Sequence, residues 1–153
     1  MDVCASYALQ IKDRGLTLAV SAGPDLPAVD ADPERVRQVL VNLVDNAVKY
    51  NRRAGRLEIT ASAGSESLEI EVRDTGEGIP PENLDSLFQR FQRLPAASPE
   101  TAKVKGIGLG LAISHGLARA MGGDLRARSE VGVGTVFIFT LPTSTSHPLG
   151  KEA

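Results

Sequence analysis

The feature that most constrains the fold is an aspartate that ends a predicted β-strand and is followed by a glycine-rich turn. Over residues 68–74 apolar residues alternate with charged ones, and Asp74 falls in the apolar phase. The turn TGEGIP follows it directly. A carboxylate in the buried phase needs donors to offset its desolvation, and the exocyclic amine of adenine, with a bridging water, would supply them. A turn-capping aspartate is the structural alternative.

A second polar set lies upstream, on a predicted helix. At about 100° per residue, Asn42, Asn46 and Lys49 fall on one narrow stripe, at a clear angle to a broader apolar stripe. Amides at i and i+4 can present oxygens to a hard cation, and a lysine one turn on can reach phosphates that the cation bridges. A solvated polar face is the other interpretation. Asparagine is a poor helix former, so two of them within a helix favour ligand binding.

Three alternating glycines, Gly106, Gly108 and Gly110, lie at the start of another predicted helix. Backbone amides at a helix N-terminus carry partial positive charge and can cradle phosphate oxygens, provided that no side chain blocks the approach. Taken alone, such glycines also suit tight turns and hinges.

Five segments in this order resemble the GHKL nucleotide-binding superfamily, and within it the ATP-binding catalytic domain of sensor histidine kinases. NLVDNAVKY resembles the asparagine box, DTGEGIP the first glycine box, LFQRF the phenylalanine box, GIGLGL the second glycine box and VGVGT the last glycine turn. The resemblance implies that Asn46 holds Mg²⁺ and that Asn42 and Lys49 support the metal and the phosphates. It implies that Tyr50 packs by the adenine and that Asp74 reads its amino group. The remaining nucleotide-binding residues that it implies are Gly76, Gly78, Ile79, Lys105, Gly106, Gly108, Leu109, Gly110, Leu111 and Thr135.

Residue 42 separates a kinase from a hydrolase. In the ATPases of this superfamily, including type II topoisomerases, mismatch-repair proteins and heat-shock chaperones, a glutamate one turn before the metal-binding asparagine activates water. Here that place holds Asn42, and an amide cannot accept a proton at neutral pH. Transfer to a strong nucleophile such as an imidazole needs positioning and charge neutralisation more than a base. A non-catalytic nucleotide-binding module stays open, because Lys105 stands where the family often has a smaller residue.

The two histidines of the chain, His115 and His147, do not lie in the acceptor pattern of a histidine followed by an acidic residue. The resemblance therefore implies a fragment of a larger sensor kinase. Its partners would be a histidine-containing dimerisation and phosphotransfer domain of the same kinase and, downstream, a response regulator.

Basic side chains near residues 90–105 have two interpretations. Arg90 is a candidate catalytic residue that could meet the terminal phosphate or a partner, as could Arg93, Lys103 and Lys105. Exposed basic residues more often only solvate a surface, which is also the interpretation of Arg126 and Arg128 on an open sheet face. Residues 92–105, rich in small residues and proline, are interpreted as a mobile lid.

Composition indicates an ordinary globule and excludes several classes of function. The 153 residues are 42% hydrophobic and carry a formal net charge of −2, which gives no general attraction to nucleic acid or anionic membrane. No apolar stretch is long enough to span a bilayer, and no signal-peptide pattern is seen. Cys4 is the only cysteine, so no internal disulfide is possible. We expect a cytoplasmic, monomeric domain without direct membrane contact, including the case of a cytosolic part of a membrane-bound sensor.

The predicted fold class is α+β, a two-layer α/β sandwich of the Bergerat type. A mixed sheet of about five strands is covered on one face by three helices. The catalytic domain is predicted over residues 1–142 and a disordered tail over 143–153. The strands are predicted at 16–21, 56–63, 68–74, 125–129 and 135–141, and the helices at 33–50, 81–88 and 109–121.

Overall fold

The chain folds into one β-sheet with a layer of helices. The computed structural model describes residues 3–89 and 110–144. A 3₁₀ turn, Cys4–Tyr7, opens the described chain. The helices are α1 (Ala8–Asp13), α2 (Pro33–Lys49), α3 (Pro81–Leu84) and α4 (Gly110–Ala120), and the strands are β1 (Thr17–Ala22), β2 (Arg56–Ala63), β3 (Ser67–Asp74), β4 (Asp124–Glu130) and β5 (Gly134–Pro142).

The sheet is mixed and has five strands in the order β1-β2-β3-β5-β4. Strand β1 runs parallel to β2, and the other three pairings are antiparallel. The β2–β3 hairpin is closed by a bond from Gly64 N to Ser67 O at 2.7 Å. At the centre, β3 pairs with β5 in a register that places Val72 opposite Phe137. The predicted α+β architecture is confirmed.

Helix α2 begins where the sequence predicts it. Asp32 is the N-cap, and its Oδ1 accepts from Glu34 N at 2.9 Å, while Pro33 occupies the first helical position. The helix buries one apolar stripe against the sheet, as an amphipathic helix must if it covers a core. The buried residues of this stripe are Val39, Leu43, Val44, Ala47 and Val48.

The two faces of the sheet differ. The helix-facing side holds the largest buried side chains, among them Phe139, Leu57 and Leu125. On the opposite face, Val136 and Ile138 of β5 lie between charged residues of the neighbouring strands. Arg126 and Arg128 are exposed on this face as predicted, and Arg128 Nη2 lies 3.5 Å from Glu71 Oε1. Long charged side chains cover apolar surface in this way while their ends stay in water.

The predicted helix over 81–88 is shorter in the structure. Helix α3 ends at Leu84, and the chain continues in turns held by i→i−3 bonds, from Leu87 N to Leu84 O at 3.2 Å and from Gln89 N to Ser86 O at 3.1 Å. Such bonds tighten the backbone and are found in short pieces because their geometry is poorer than that of an α-helix.

Two differences concern the ends of the chain. Helix α1 was not predicted, since its six residues are too few for a clear periodicity, yet its Ile11 is buried. The predicted tail begins with two residues that are bonded to the domain. Thr143 N donates to Glu66 O at 3.1 Å, and Ser144 N donates to Ala28 O at 3.0 Å. Ordered structure therefore continues at least two residues past Pro142.

The lid predicted at 92–105 lies outside the described residues, as do Phe91, Arg93, Lys103, His147 and residues 145–153. In the part of the chain that is described, no helix has both the length and the apolar character needed to cross a membrane.

Candidate nucleotide-binding site

Asp74 lies at the end of β3 and is only 7% exposed, which confirms the buried carboxylate that the strand pattern predicts. Its Oδ1 accepts two backbone bonds, from Gly76 N at 2.8 Å and from Thr135 N at 3.3 Å. Both bonds that this carboxylate accepts within the described chain go to Oδ1. Its other oxygen, Oδ2, is therefore available to accept a hydrogen bond from a ligand.

Burial raises the pKa of Asp74 from 3.8 to about 6. The two backbone hydrogen bonds, from Gly76 and Thr135, lower the pKa because they stabilise the charged form. The nearby negative charge of Glu77 raises it again. A carboxyl group whose pKa is raised by desolvation is typical of functional sites, although structural networks produce such shifts too.

The turn that follows Asp74 packs against a second glycine turn, between β4 and β5. Gly78 has φ +76°, and a Cβ at this position would overlap Glu130 O of the second turn. Gly132 N donates to Glu77 O at 2.9 Å, which joins the two turns directly. Only glycine fits residue 78, because the backbone is left-handed and the neighbouring carbonyl is too close for a side chain.

Ser129 also holds the turn after Asp74 against the end of β4, and the sequence did not predict this role. Its Oγ accepts from Ile79 N at 2.7 Å and lies 2.8 Å from Thr135 Oγ1. Ile79 and Thr135 themselves are both buried, and Ile79 belongs to the core cluster. Gly76 lies against Tyr50 O. Asp74, Gly76, Gly78, Ile79 and Thr135 are thus brought together where β3 ends and β5 begins, at one end of the central strands of the sheet.

Tyr50 follows α2 directly and is exposed. It lies next to the turn after Asp74, because a Cβ on Gly76 would overlap the Tyr50 carbonyl oxygen. The backbone of Tyr50 is therefore next to the turn that follows Asp74.

Asn42, predicted to support metal and phosphates, lies where α2 meets α4. Its Nδ2 donates to Ser114 Oγ at 3.0 Å, and a Cβ on Gly110 would overlap its Oδ1. Gly110 therefore allows the close approach of the two helices at Asn42. From the sequence, this glycine was expected only to leave room for phosphate oxygens at the helix N-terminus. Leu111, the next residue, packs against the core cluster.

Lys49, predicted to reach the phosphates, forms an ion pair one turn back along the same helix. Its Nζ lies 2.7 Å from Asp45 Oδ2. Burial raises the pKa of Tyr7, and the charge of Asp45 together with a hydrogen bond from the tyrosine hydroxyl raises it further. Asp45 therefore contacts both the N-terminal segment and the lysine.

A cavity of about 300 Å³ lies beside these residues, between α2, α4 and Tyr7. Its lining combines amide, carboxylate and hydroxyl groups with the exposed apolar side chain of Ile113. The residues that line it are Tyr7, Gln38, Val41, Asn42, Asp45, Gly110, Ile113 and Ser114.

Asn46, the predicted metal ligand, lies one turn after Asn42 on α2 and is partly buried. Among residues 3–89 and 110–144 its side-chain amide has no hydrogen-bond partner. No group of three His, Cys, Asp or Glu that could hold a metal occurs in those same ranges. A single amide oxygen fits Mg²⁺, which keeps several waters and takes further oxygen ligands from a substrate's phosphates.

Phe88 and His115 stack with their ring centroids 4.8 Å apart and an angle of 16° between the rings. His115 Nε2 also lies 3.5 Å from Asp124 Oδ1. His115 is thus a packed residue of α4 with partners on two sides. Arg90, Lys105, Gly106, Gly108 and Leu109 lie outside the described residues, so their predicted roles stay predictions.

The family model described as histidine kinase-, DNA gyrase B-, and HSP90-like ATPase matches residues 31–145 of this chain. Among curated proteins, the chain is 41% identical over 119 residues to the adaptive-response sensory kinase SasA of Synechococcus elongatus. That alignment covers 77% of this chain and 30% of the relative. Over four such relatives, the chain spans only 7% to 31% of their length.

Two solved structures show the same fold. The catalytic domain of histidine kinase ThkA, in a nucleotide-free form, is 28% identical with a TM-score of 0.78, covering 93% of this chain and 90% of that one. Full-length ShkA in complex with AMPPNP is 34% identical with a TM-score of 0.80, covering 93% of this chain and 28% of that one.

Proposed function

This chain belongs to the histidine kinase-, DNA gyrase B- and HSP90-like ATPase family, and we propose that it is the ATP-binding catalytic domain of a sensor histidine kinase. It transfers the γ-phosphoryl group of Mg-ATP to a histidine on a separate dimerisation and phosphotransfer domain of the same kinase. A response regulator receives the phosphoryl group downstream. The domain acts in the cytoplasm, is monomeric when isolated, and contacts neither nucleic acid nor membrane directly.

The observation that carries this proposal is the carboxylate of Asp74. It is buried, its Oδ1 is occupied by two backbone donors, and its Oδ2 is left for a ligand. The amino group of adenine is a donor that matches this acceptor, whereas the carbonyl oxygen of guanine would place two acceptors together. Tyr50, exposed and adjacent to the turn, supplies an aromatic surface next to the base.

The phosphates lie along α2 in this proposal. Asn46 would hold Mg²⁺ through its amide oxygen, and the cation would supply charge neutralisation on the phosphates. Lys49 leaves Asp45 and pairs with a phosphate, which exchanges one ion pair for another. Asn42 keeps α4 in place through Ser114 and so positions the helix start at Gly110. Backbone amides there would approach the phosphate oxygens, and the resemblance assigns the same task to Gly106 and Gly108, which lie outside the described residues.

The identity of residue 42 favours transfer over hydrolysis. Water attack needs a general base, and the amide of Asn42 cannot act as one. An imidazole nitrogen attacks with its own lone pair, so this chain needs only to bind and orient ATP. A P–N bond forms as the bond from the γ-phosphorus to the bridging oxygen breaks, ADP leaves, and the imidazole ring gives one proton to solvent.

Base recognition is tested by comparing the affinities of the chain for Mg-ATP and Mg-GTP. We expect ATP to bind more tightly, and Asp74→Asn to weaken ATP binding by about 1–3 kcal/mol because a charge-assisted hydrogen bond is lost. Glu71→Gln is the matched control, since Glu71 lies on the same strand but pairs with arginines on the open face of the sheet. Equal binding of ATP and GTP by the unmodified chain would refute the role of Asp74.

Phosphotransfer is tested by adding the dimerisation and phosphotransfer domain of the kinase with labelled ATP. Acid-labile label on its histidine is the expected result, with slow phosphate release when the partner is omitted. Tight binding of ATP without any transfer would indicate a non-catalytic module. Rapid phosphate release without a partner would indicate an ATPase.

A further inference from the structure

Arg52 lies just after α2, and its side chain reaches both glycine turns of the base end. Its Nη2 donates to Gly132 O at 2.9 Å and lies 3.5 Å from Gly76 O, while its Nε donates to Thr75 O. One planar guanidinium therefore contacts three carbonyl oxygens on two separate turns. Thr75 and Gly76 are the two residues that follow Asp74, and Gly76 supplies one of its two hydrogen bonds.

The backbone that carries Arg52 is fixed by Asn51, a polar residue that is only 3% exposed. Asn51 O accepts from Arg14 Nη2 at 2.6 Å, and Asn51 Nδ2 donates to Arg56 O at 3.0 Å. Its Oδ1 accepts from Arg52 N at 3.0 Å and from Thr75 Oγ1 at 3.1 Å. These bonds tie Asn51 to the C-terminal end of α1, to β2 and to the turn after β3. The backbone from which the Arg52 side chain extends is therefore held in place.

An exposed arginine usually only solvates a surface. Arg52 differs because its donors are directed at backbone acceptors of the two turns that surround Asp74. The rigid fork of a guanidinium suits this task, since its donors are arranged in one plane and need little ordering for each bond that they form.

We propose that Arg52 is a positioning residue for base recognition, a clamp that holds the turn after Asp74 against the turn between β4 and β5. The clamp keeps the amides of Gly76 and Thr135 on Oδ1 of Asp74 and thereby keeps Oδ2 available to the base. The part of this inference that concerns the base rests on the proposed function. The part that concerns the two turns does not.

The test compares Arg52→Gln with Arg56→Gln. Arg56 is the first residue of β2, four residues later, and its side chain pairs with Glu58 at 3.1 Å; only its backbone is bonded to Thr75. Both variants remove one positive charge within four residues of each other in the sequence, so the change in net charge is matched. Thermal unfolding is measured first, so that affinity is compared at temperatures where each variant is folded.

The first readout is hydrogen exchange without nucleotide, at the amides of Gly76 and Thr135. Exchange should become about tenfold faster in Arg52→Gln, as expected for a local opening that has become easier, and should stay unchanged in Arg56→Gln. Unchanged exchange in Arg52→Gln would overturn the clamp whether or not the chain binds ATP. A chain that binds no nucleotide would refute the proposed function while leaving this readout valid.

The second readout is the ratio of affinities for ATP and GTP. In Arg52→Gln the affinity for ATP should fall about fivefold to tenfold, the size of one weakened charged hydrogen bond, while that for GTP changes little. An equal loss for both nucleotides would show a merely structural role and overturn the proposal. Arg52→Lys keeps the charge but lacks the fork, so it should resemble Arg52→Gln and also serves if the glutamine variant fails to fold. Full restoration by lysine would overturn the clamp.

Discussion

The proposed base end of the site, around Asp74, and its proposed phosphate end, along α2, are built from different parts of the chain. At the base end two glycine turns pack backbone against backbone, and Oδ1 of Asp74 is held by two amides. At the phosphate end the contacts run between side chains, from Asn42 to Ser114 and from Lys49 to Asp45. Backbone contacts persist when a ligand leaves, whereas side chains change rotamers and partners readily. Under the proposed function, base selectivity would thus be part of the fold, and phosphate binding would be an exchange of side-chain partners.

The largest effect that separates the two ends should come from Asn46→Ala. We expect phosphotransfer to fall about a thousandfold or more, about 4 kcal/mol of barrier, because the amide oxygen for Mg²⁺ is lost. The melting temperature should stay within a degree or two of the unmodified chain, since this amide has no partner in the described structure.

Asn46→Asp is the control for that change, because it keeps an oxygen at the same place and should retain Mg²⁺-dependent nucleotide binding. If Asn46→Ala leaves phosphotransfer and Mg-ATP affinity unchanged, α2 does not contribute to the metal site.

Gly78→Ala, unlike Asn46→Ala, should have a large effect on stability. The free energy of unfolding should fall by about 3 kcal/mol, because the left-handed backbone strains a Cβ and the Glu130 carbonyl leaves no room for it. Urea denaturation measures this loss. A tolerated alanine would mean that the two turns can separate, and the base end would then be as adaptable as the phosphate end.

Asp74→Asn should change how the stability of the chain depends on pH, because the buried carboxyl group is removed. The folded-state pKa is about 6 and the ordinary value is 3.8, so the folded chain binds the proton more tightly than the unfolded chain does. This group therefore lowers stability as pH rises from about 4 to about 7. The stability of Asp74→Asn relative to the unmodified chain should increase by about 3 kcal/mol over that range, at 1.36 kcal/mol per pKa unit. Denaturation curves at four pH values measure it, and a difference that is constant with pH would contradict the desolvation.

The smallest effect should come from Gly116→Ala in α4. A Cβ at this residue would meet no atom within 4 Å, and an exposed helical glycine costs about 0.5–1 kcal/mol relative to alanine. We expect a stabilisation of that size, measured by denaturation, with nucleotide affinity unchanged. A gain in ATP affinity would instead show that the order of α4 limits binding at the phosphate end.

The burial of Asp74 and the start of α2 were predictable because their signals are local. Alternation along β3 placed Asp74 in the buried phase, and the cap at Asp32 with Pro33 fixed the start of α2. The network around Asn51 was not predictable. The run NRRAGR has the composition of an exposed connection, and the burial of Asn51 depends on Arg14 and Thr75, which lie 37 and 24 residues away.

The phosphate end shows the opposite limitation. The stripe of Asn42, Asn46 and Lys49 on α2 was visible from spacing, but the partners of these side chains were not. The pairing of Asn42 with Ser114 joins residues that are 72 apart in the sequence. Lys49 has a carboxylate four residues before it, and helical spacing alone does not say whether the lysine pairs with that carboxylate or with a phosphate. Gly110 likewise could not be assigned to helix packing before the two helices were placed together.

The pairing of β3 with β5 has a consequence for the kinetics of folding. Asp74 ends one strand, and its second donor, Thr135 N, lies near the start of the other, 61 residues later. The β2–β3 hairpin can form early because its contacts are local, but the long-range pairing requires closure of a large loop before it gains any contact. Adenine-binding capacity should therefore appear only in the last, rate-limiting step of refolding, together with the completed sheet and well after the helices.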